Sequence, residues 1–310
     1  MPTRVPYDPE LVPMMERILG FADLPLTADK IAGSRAMSFV PPLDSLLEGT
    51  FLERREWVAG DVEITSVAGP SAGSTAIFAL HGGGMVSGDR LSGSEHLVLL
   101  ARELPVVVLS PEYRLAPEHP YPAAVDDALA AWLWVQEHAS ELGVDPARIV
   151  LLGESAGGGI AAGLALRLRD EGHPLPLALA LLAPMLDERN DSGSARAYDG
   201  FGLWDRISNE TGWTALLGPA PRSDVPAYGS PAHATDLTGL PATYLEVGTS
   251  EVFRDEVVAF AAKLWEAGVQ AELHVWGGVF HAAEFISPDA RVSTTARRTR
   301  LGWLERVINR

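Results

Sequence analysis

Cysteine is absent from all 310 residues. That excludes a disulfide scaffold, a thiol nucleophile and a cysteine-held zinc, and it leaves the redox compartment open. Basic residues are scarce: 24 Lys and Arg stand against 41 Asp and Glu, a formal net charge of −17. A surface of that sign repels a phosphate backbone or an anionic membrane, so no nucleic acid partner is expected. Long hydrophobic runs are missing as well. The longest, around Leu175 to Leu186, is interrupted by two prolines and is too short to span a bilayer. The first residues, MPTRVPYDPELVPMMERILG, carry neither the apolar core nor the small-residue cleavage site of a secretory signal, and a cytoplasmic location is expected. There is no H-E-x-x-H, no G-x-x-x-x-G-K-[ST] and no G-x-G-x-x-G after a strand, so no metal, nucleotide or organic cofactor is expected.

What the chain does have is apolar bulk. With 47% hydrophobic and 21% charged residues it can bury a sizeable core. From about residue 60 short apolar runs alternate with helical patterns. Thr75–Leu80 (TAIFAL), Pro105–Leu109 (PVVVL), Ile149–Leu152 (IVLL), Leu177–Ala183 (LALALLA), Thr243–Val247 (TYLEV) and Glu272–Trp276 (ELHVW) read as strands. Most are continuous rather than alternating, which suits strands buried on both faces of a parallel sheet. Ala123–Ala139, Ala156–Asp170, Val252–Ala267 and Pro288–Ile308 carry helical spacing. This alternation predicts an α/β fold, a mostly parallel central sheet flanked by helices. Two stretches break the rhythm. Residues 1–50 hold no obvious strand and suggest a helix at Pro9–Leu19, and residues from Asp187 to about Leu237 separate two strands by far more than an ordinary connection. The expected organisation is a helical cap, made of 1–50 and the insertion at about 187–237, over a catalytic domain spanning 51–310.

Gly153-Glu154-Ser155-Ala156-Gly157 matches G-x-S-x-G, a pattern too short to stand alone, since Gly69-Pro70-Ser71-Ala72-Gly73 matches it too. Context separates them. Ser71 lies between two strand-like runs and reads as a loop or hairpin connection. Ser155 follows IVLL and precedes a helical run, the order that a nucleophile on a sharp strand-to-helix turn demands. His81-Gly82-Gly83-Gly84 directly follows the strand TAIFAL. Chance would supply this tetrapeptide roughly 0.007 times in such a chain, which makes it the stronger signal. Its glycines allow close backbone approach, so the N–H groups of Gly82 and Gly83, with that of Ala156, are the candidate oxyanion donors. His81 itself reads as an anchor for this loop.

A serine nucleophile needs a base, and the motif orders its partners serine, acid, histidine. Of eight histidines, His81, His96, His119 and His138 precede the serine, His173 falls at the wrong end of the sheet, and His233 precedes every candidate acid. His274 lies inside ELHVW. His281, on the loop after that strand, is the candidate base. For the acid, Glu246 lies in a strand, while Asp255 and Glu256 read as carboxylates of a first helical turn. Glu251 can turn back toward His281 and hold its tautomer, with Asp255 the alternative. Phe201, Leu203, Trp204, Trp213 and Leu216 in the insertion, with Met85 and Phe280, are candidates for an apolar acyl pocket, or equally for packing inside the cap.

With HGGG, the serine turn, the acid and the histidine in this order, the chain resembles the hormone-sensitive-lipase-like α/β-hydrolases, the bacterial family IV esterases, over roughly residues 70–310. Tyr113-Arg114-Leu115-Ala116-Pro117-Glu118, continuing through His119-Pro120-Tyr121-Pro122-Ala123-Ala124 to Asp126-Asp127, and Asp145-Pro146-Ala147-Arg148-Ile149 match as well. The resemblance implies an α/β-hydrolase fold with a helical cap inserted after the sixth core strand. It implies a catalytic triad of Ser155, Glu251 and His281, with oxyanion donors at Gly82, Gly83 and Ala156. The Tyr113–Asp127 stretch would brace the active-site loops. The implied activity is that of a serine carboxylesterase cleaving short- to medium-chain acyl esters through an acyl-enzyme, with a small ester as partner. A lactonase or amidase would use the same residues, and a catalytically silent binding protein, as in the related plant gibberellin receptors, is the alternative from another class. The family often dimerises through an edge strand, for which ELHVW is the candidate. Two positions depart from the family's pattern. Glu251 stands where aspartate is usual, in Glu251-Val252-Phe253-Arg254-Asp255-Glu256, and Glu154 stands where aspartate or another small polar residue is common.

Overall fold

The computed structural model describes residues 3–20, 22–36, 41–218 and 224–310. Eight strands form one sheet: β1 Glu53–Ala59, β2 Val62–Ala68, β3 Thr75–Leu80, β4 Val106–Pro111, β5 Ile149–Glu154, β6 Ala178–Leu182, β7 Thr243–Gly248 and β8 Ala271–Trp276. Their spatial order is β1-β2-β4-β3-β5-β6-β7-β8. The first two strands pair antiparallel, β2 runs antiparallel to β4, and all other neighbours are parallel. The helices are α1 Val12–Leu19, α2 Ile31–Arg35, α3 Leu43–Leu47, α4 Ser94–Glu103, α5 Ala123–Glu137, α6 Ala139–Leu142, α7 Ala156–Glu171, α8 Gly193–Ala197, α9 Arg206–Leu217, α10 Arg254–Glu266, α11 Ala283–Ile286 and α12 Arg291–Ile308.

The continuous apolar runs are explained by burial on both faces. Every residue of β3, β4, β6 and β7 is buried. Alternate side chains go to opposite layers, as the period of two requires. Phe78 and Leu151 pack with α5, α7 and α10 on one face, whereas Ile77 and Val150 pack with α4 and α12 on the other. Such a mostly parallel sheet between two helical layers is the architecture the sequence predicted.

Two elements differ from the sequence reading, and at a third the structure selects between two options that the sequence left open. The β1–β2 hairpin was not anticipated, because β1 (ERREWVA) is an edge strand whose mostly exposed, charged residues shield its free edge. The α4 helix was missed too; it follows Gly93 with no side-chain N-cap, although Leu97, Val98, Leu100 and Ala101 bury a clear apolar face. Ser71 lies in the loop between β2 and β3, which are not hydrogen-bonded to each other, so the connection is a crossover and not a hairpin.

The N-terminal segment and the insertion between β6 and β7 touch. Leu26 N–H donates to Ser208 Oγ at 2.9 Å, and Thr211 Oγ1 donates to the Leu26 carbonyl at 2.9 Å. Among the described residues no helix is long and apolar enough to cross a membrane.

The return limb of the insertion lies directly on α7. A Cβ at Gly163 would sit 2.1 Å from the Tyr228 carbonyl oxygen. Gly163→Ala should therefore destabilise the protein, because an overpacking penalty of about 1–3 kcal/mol exceeds the helix-propensity gain of about 1 kcal/mol. The check is a lower urea midpoint at unchanged slope.

Candidate active site

The strand β5 ends at Glu154, and the next residue turns sharply. Ser155 has φ 53° and ψ −116°, a conformation L-residues rarely adopt. Its neighbours hold it there: Ser155 N–H donates to the Leu182 carbonyl at 2.8 Å, and its own carbonyl accepts from Gly158, Gly159 and Met185 N–H at 3.0, 3.2 and 2.9 Å. The turn closes only because two flanking positions lack a Cβ. At Gly153 a Cβ would meet the Gly157 carbonyl oxygen at 2.2 Å, and at Gly157 it would meet those of Leu80 and His81 at 2.2 and 2.3 Å. The start of α7 is thereby pressed against the end of β3.

The hydroxyl of Ser155 lies 2.9 Å from His281 Nε2, and His281 Nδ1 lies 2.6 Å from Glu251 Oε2. The other Glu251 oxygen accepts the Gly248 N–H at 2.7 Å, which fixes the carboxylate against the end of β7. The Glu251 side chain is 2% exposed and that of His281 12%, so the chain of hydrogen bonds runs from a closed interior to an accessible serine. Phe253 packs edge-on against the imidazole at 5.1 Å. The His281 loop is itself held, with Gly278 N–H donating to Thr249 Oγ1 at 2.7 Å and Ser250 N–H to the Val279 carbonyl at 3.0 Å.

The glycine loop arrives from β3. A Cβ on Gly82 would lie 3.3 Å from Ser155 Cβ, so this backbone runs alongside Ser155. Among the described residues no protein acceptor takes the N–H of Gly82, Gly83 or Ala156. His81 is buried and anchors the loop. Its ring stacks on Tyr113 at 4.1 Å, its Nδ1 lies 2.7 Å from the Gly82 carbonyl, and Tyr113 Oη donates to the His81 carbonyl at 2.8 Å. Burial pushes its pKa down to about 4, against the pull of the Gly82 carbonyl and of Asp89 and Glu154. One supporting residue was not anticipated. Arg35, at the end of α2, donates to the Val86 carbonyl at 2.7 Å and the Ala116 carbonyl at 2.8 Å, and it grips Glu118 with two bonds of 2.9 and 2.7 Å. The sequence signal was its partner, since Glu118 lies in the Tyr113–Asp127 stretch.

The remaining candidates divide. Asp255 accepts from Ser194 N–H at 2.7 Å and pairs with Arg254, so its carboxylate serves α8. Trp204 lies on the glycine loop: a Cβ at Gly84 would fall 2.0 Å from its ring. Met85 is buried with its methyl group facing Gly159, and Phe280 is buried edge-on to Tyr7 at 5.5 Å. Leu203 packs with Phe280, whereas Phe201 is part-exposed and stacked on Tyr7 at 6.0 Å. Trp213 and Leu216 belong to the main core, Trp213 with no exposed surface. Among the described residues Asp187, Glu188 and His233 are close enough to gather a cation, but their atoms are engaged. Glu188 accepts from Ser230 Oγ at 2.5 Å and lies 2.7 Å from His233 Nε2, and Asp187 pairs with Arg189.

Comparison with known proteins bears on the fold and the family. Residues 77–285 match a family described as alpha/beta hydrolase fold. The chain is 36% identical over 215 residues to Esterase LipI of Mycobacterium tuberculosis, covering 66% of this chain and 63% of that protein, so it spans less than two thirds of that relative's length. It superposes on a solved structure titled Bacterial Heroin Esterase with a TM-score of 0.87 and 35% identity, covering 97% of this chain and 98% of that one. A crystallised esterase from the bacterial hormone-sensitive lipase family aligns with a TM-score of 0.80 and 29% identity, over 97% and 99% of the two chains.

The buried His81 makes the loop acid-sensitive. Its folded-state pKa, about 4, lies below the unfolded value of about 6.5. Its contribution to stability is therefore full above about pH 6.5 and is lost as pH falls toward 4. The urea midpoint should drop over that window in the wild type, and His81→Asn should flatten that part of the slope.

Proposed function

The chain belongs to the alpha/beta hydrolase fold family, in its hormone-sensitive-lipase-like branch, and from that premise we propose that it is a serine carboxylesterase. The observation that carries the proposal is the hydrogen-bonded series Ser155, His281, Glu251 at 2.9 and 2.6 Å, set on a strained turn beside a glycine loop.

In this reading Ser155 Oγ attacks the ester carbonyl carbon as His281 Nε2 takes the hydroxyl proton. Glu251 accepts the Nδ1–H bond, fixes the tautomer and stabilises the imidazolium that forms. The carbonyl oxygen, now an oxyanion, is bound by the N–H groups of Gly82, Gly83 and Ala156, and each such donor is worth about 3–4 kcal/mol in the transition state. The N-terminus of α7 adds its favourable dipole. The proton on Nε2 passes to the departing alcohol, leaving an acyl-serine. Water then attacks the acyl carbon as His281 Nε2 takes its proton, and the second tetrahedral species collapses to the acid as that proton passes to the departing Ser155 Oγ. Every step uses groups on this chain, and none calls for a cofactor.

The substrates proposed are short- to medium-chain acyl esters, with Trp204, Met85, Phe280 and Leu203 beside the glycine loop and the base. Residues 1–50 and about 187–237 form the cap over a catalytic domain of 51–310, a division supported by the Leu26 contacts to Ser208 and Thr211. A cytoplasmic location and a homodimer joined through the outer edge of β8 belong to the same reading.

The test is hydrolysis of p-nitrophenyl esters from acetate to palmitate. The wild type should peak at short or medium chains, and Ser155→Ala should abolish turnover. Glu251→Gln should lower kcat by about 10⁴-fold. Turnover that survives Ser155→Ala would sink the assignment. Equal inertness of both proteins would move the chemistry to a lactone or amide, or reduce the site to binding.

A further inference from the structure

Behind the triad lies a second set of charged groups that the ester chemistry does not use. Glu154, the residue before the nucleophile, is in contact with His96 Nδ1 on α4. The other ring nitrogen, His96 Nε2, is 3.1 Å from Glu284 Oε1 on α11, three residues beyond the base. Arg300 on α12 donates to both Glu284 oxygens at 2.7 Å and to Glu246 Oε1 on β7 at 2.6 Å, and Arg297 reaches Glu284 at 3.2 Å. Tyr244 Oη closes the far end on Glu246 Oε2 at 2.8 Å. The set is deep: the Arg300 side chain is 3% exposed, and those of His96 and Glu246 are 9%.

Two arguments set this cluster apart from ordinary packing. Buried ion networks are weak stabilisers, often no better than apolar residues of the same volume, so its placement calls for another reason. The placement is specific: the three carboxylates come from the three segments that carry Ser155, Glu251 and His281. Glu154 adjoins the serine, Glu246 lies on the strand that leads to the acid, and Glu284 follows the base within one helical turn.

We propose that His96 is a positioning residue for the ester chemistry, its imidazole bridging Glu154 to Glu284 so that the nucleophile turn and the base loop are held at one spacing. The inference rests on the esterase reading. Charge supports it, since among the described residues the carboxylates of Glu154, Glu246 and Glu284 face two guanidiniums, Arg297 and Arg300, and a protonated His96 completes the balance. Burial alone would push His96 down, and Arg300, 3.0 Å from Nε2, works the same way; Glu154 and Glu284 outweigh both and raise it to about 9. Glu284 in turn is held well below the usual carboxylate range by Arg300 and His96, against its burial. The spacing matters because a shift of about 1 Å between reacting groups can lower turnover by about a hundredfold.

His96→Leu removes both bridging nitrogens, and His96→Asn restores the one that meets Glu154. Assayed on p-nitrophenyl acetate well below the melting temperature, kcat should fall in the order wild type, His96→Asn, His96→Leu. The last should lie up to about a hundredfold below the wild type, with KM within about twofold. A folded His96→Leu with wild-type kcat, or a loss confined to KM, overturns the proposal. Should His96→Leu fail to fold, Glu284→Gln decides: it keeps the side-chain shape, and kcat should drop by at least about tenfold at constant KM. Unchanged kcat there overturns the proposal as well. An inert wild type, or activity that survives Ser155→Ala, instead removes the esterase reading and this inference with it.

Discussion

The main chain at Ser155 is held in a conformation that costs on the order of 1–3 kcal/mol, and the geometry of the site follows from how that strain is contained. Backbone bonds from Leu182, Gly158, Gly159 and Met185 hold the turn, and β6 and α7 clamp it from two sides. The same closure brings α7 onto the carbonyls of Leu80 and His81, which no residue larger than glycine at 157 would permit. The N–H of Ala156 and the glycine loop after β3 therefore reach one place as a direct result of the turn. The proposed nucleophile and the proposed oxyanion donors are thus brought together by a single backbone contact.

The loops that carry His281 and Glu251 are held differently, by distant segments of the chain. Asp8 N–H donates to the Gly278 carbonyl at 2.9 Å, and the Val5 carbonyl accepts from Tyr198 Oη at 2.8 Å and Ser250 Oγ at 3.2 Å. The N-terminal strap thus crosses the His281 loop, the Glu251 loop and the insertion together. Below it, α10 docks the insertion from the other end. Glu256 accepts from Leu186 and Asp187 N–H at 2.8 and 3.3 Å, and Asp255 accepts from Ser194. Asp255, the alternative to Glu251 in sequence, and its neighbour Glu256 are occupied in space by the insertion between β6 and β7.

These contrasts explain what could be read from the sequence. The buried strands β3 to β7 announced themselves because burial on both faces demands unbroken apolar runs. The order of HGGG, the serine turn, Glu251 and His281 was legible because each lies just beyond a strand, and strand ends converge in such a sheet. An edge strand such as β1 carries no such mark, since its charges serve solvent and edge protection. The Arg35 clamp showed only through its partner Glu118, and the N-terminal strap not at all. Their other contacts, to the Val86, Ala116 and Gly278 carbonyls and from the Val5 carbonyl, use backbone groups common to every residue and leave no pattern. His96 precedes the serine and so fell outside the search for a base, although its place beside Glu154 is the more informative fact.

The two positions at which the sequence departs from the pattern it resembles share a consequence. Both carry glutamate, and both carboxylates end on an imidazole: Glu251 on His281 and Glu154 on His96. At 251 the added methylene lets one oxygen fold back to the Gly248 N–H while the other meets the base, so the longer side chain is tethered at two points and loses little order. At 154 the reach carries the charge away from the nucleophile into the cluster of Arg300 and Glu284. A shorter acid at either place would have to bring its backbone nearer to the same imidazole, and at 154 that backbone is already fixed by the turn. The glutamates are thus matched to the framework around them: where the elbow cannot move, the side chain supplies the distance.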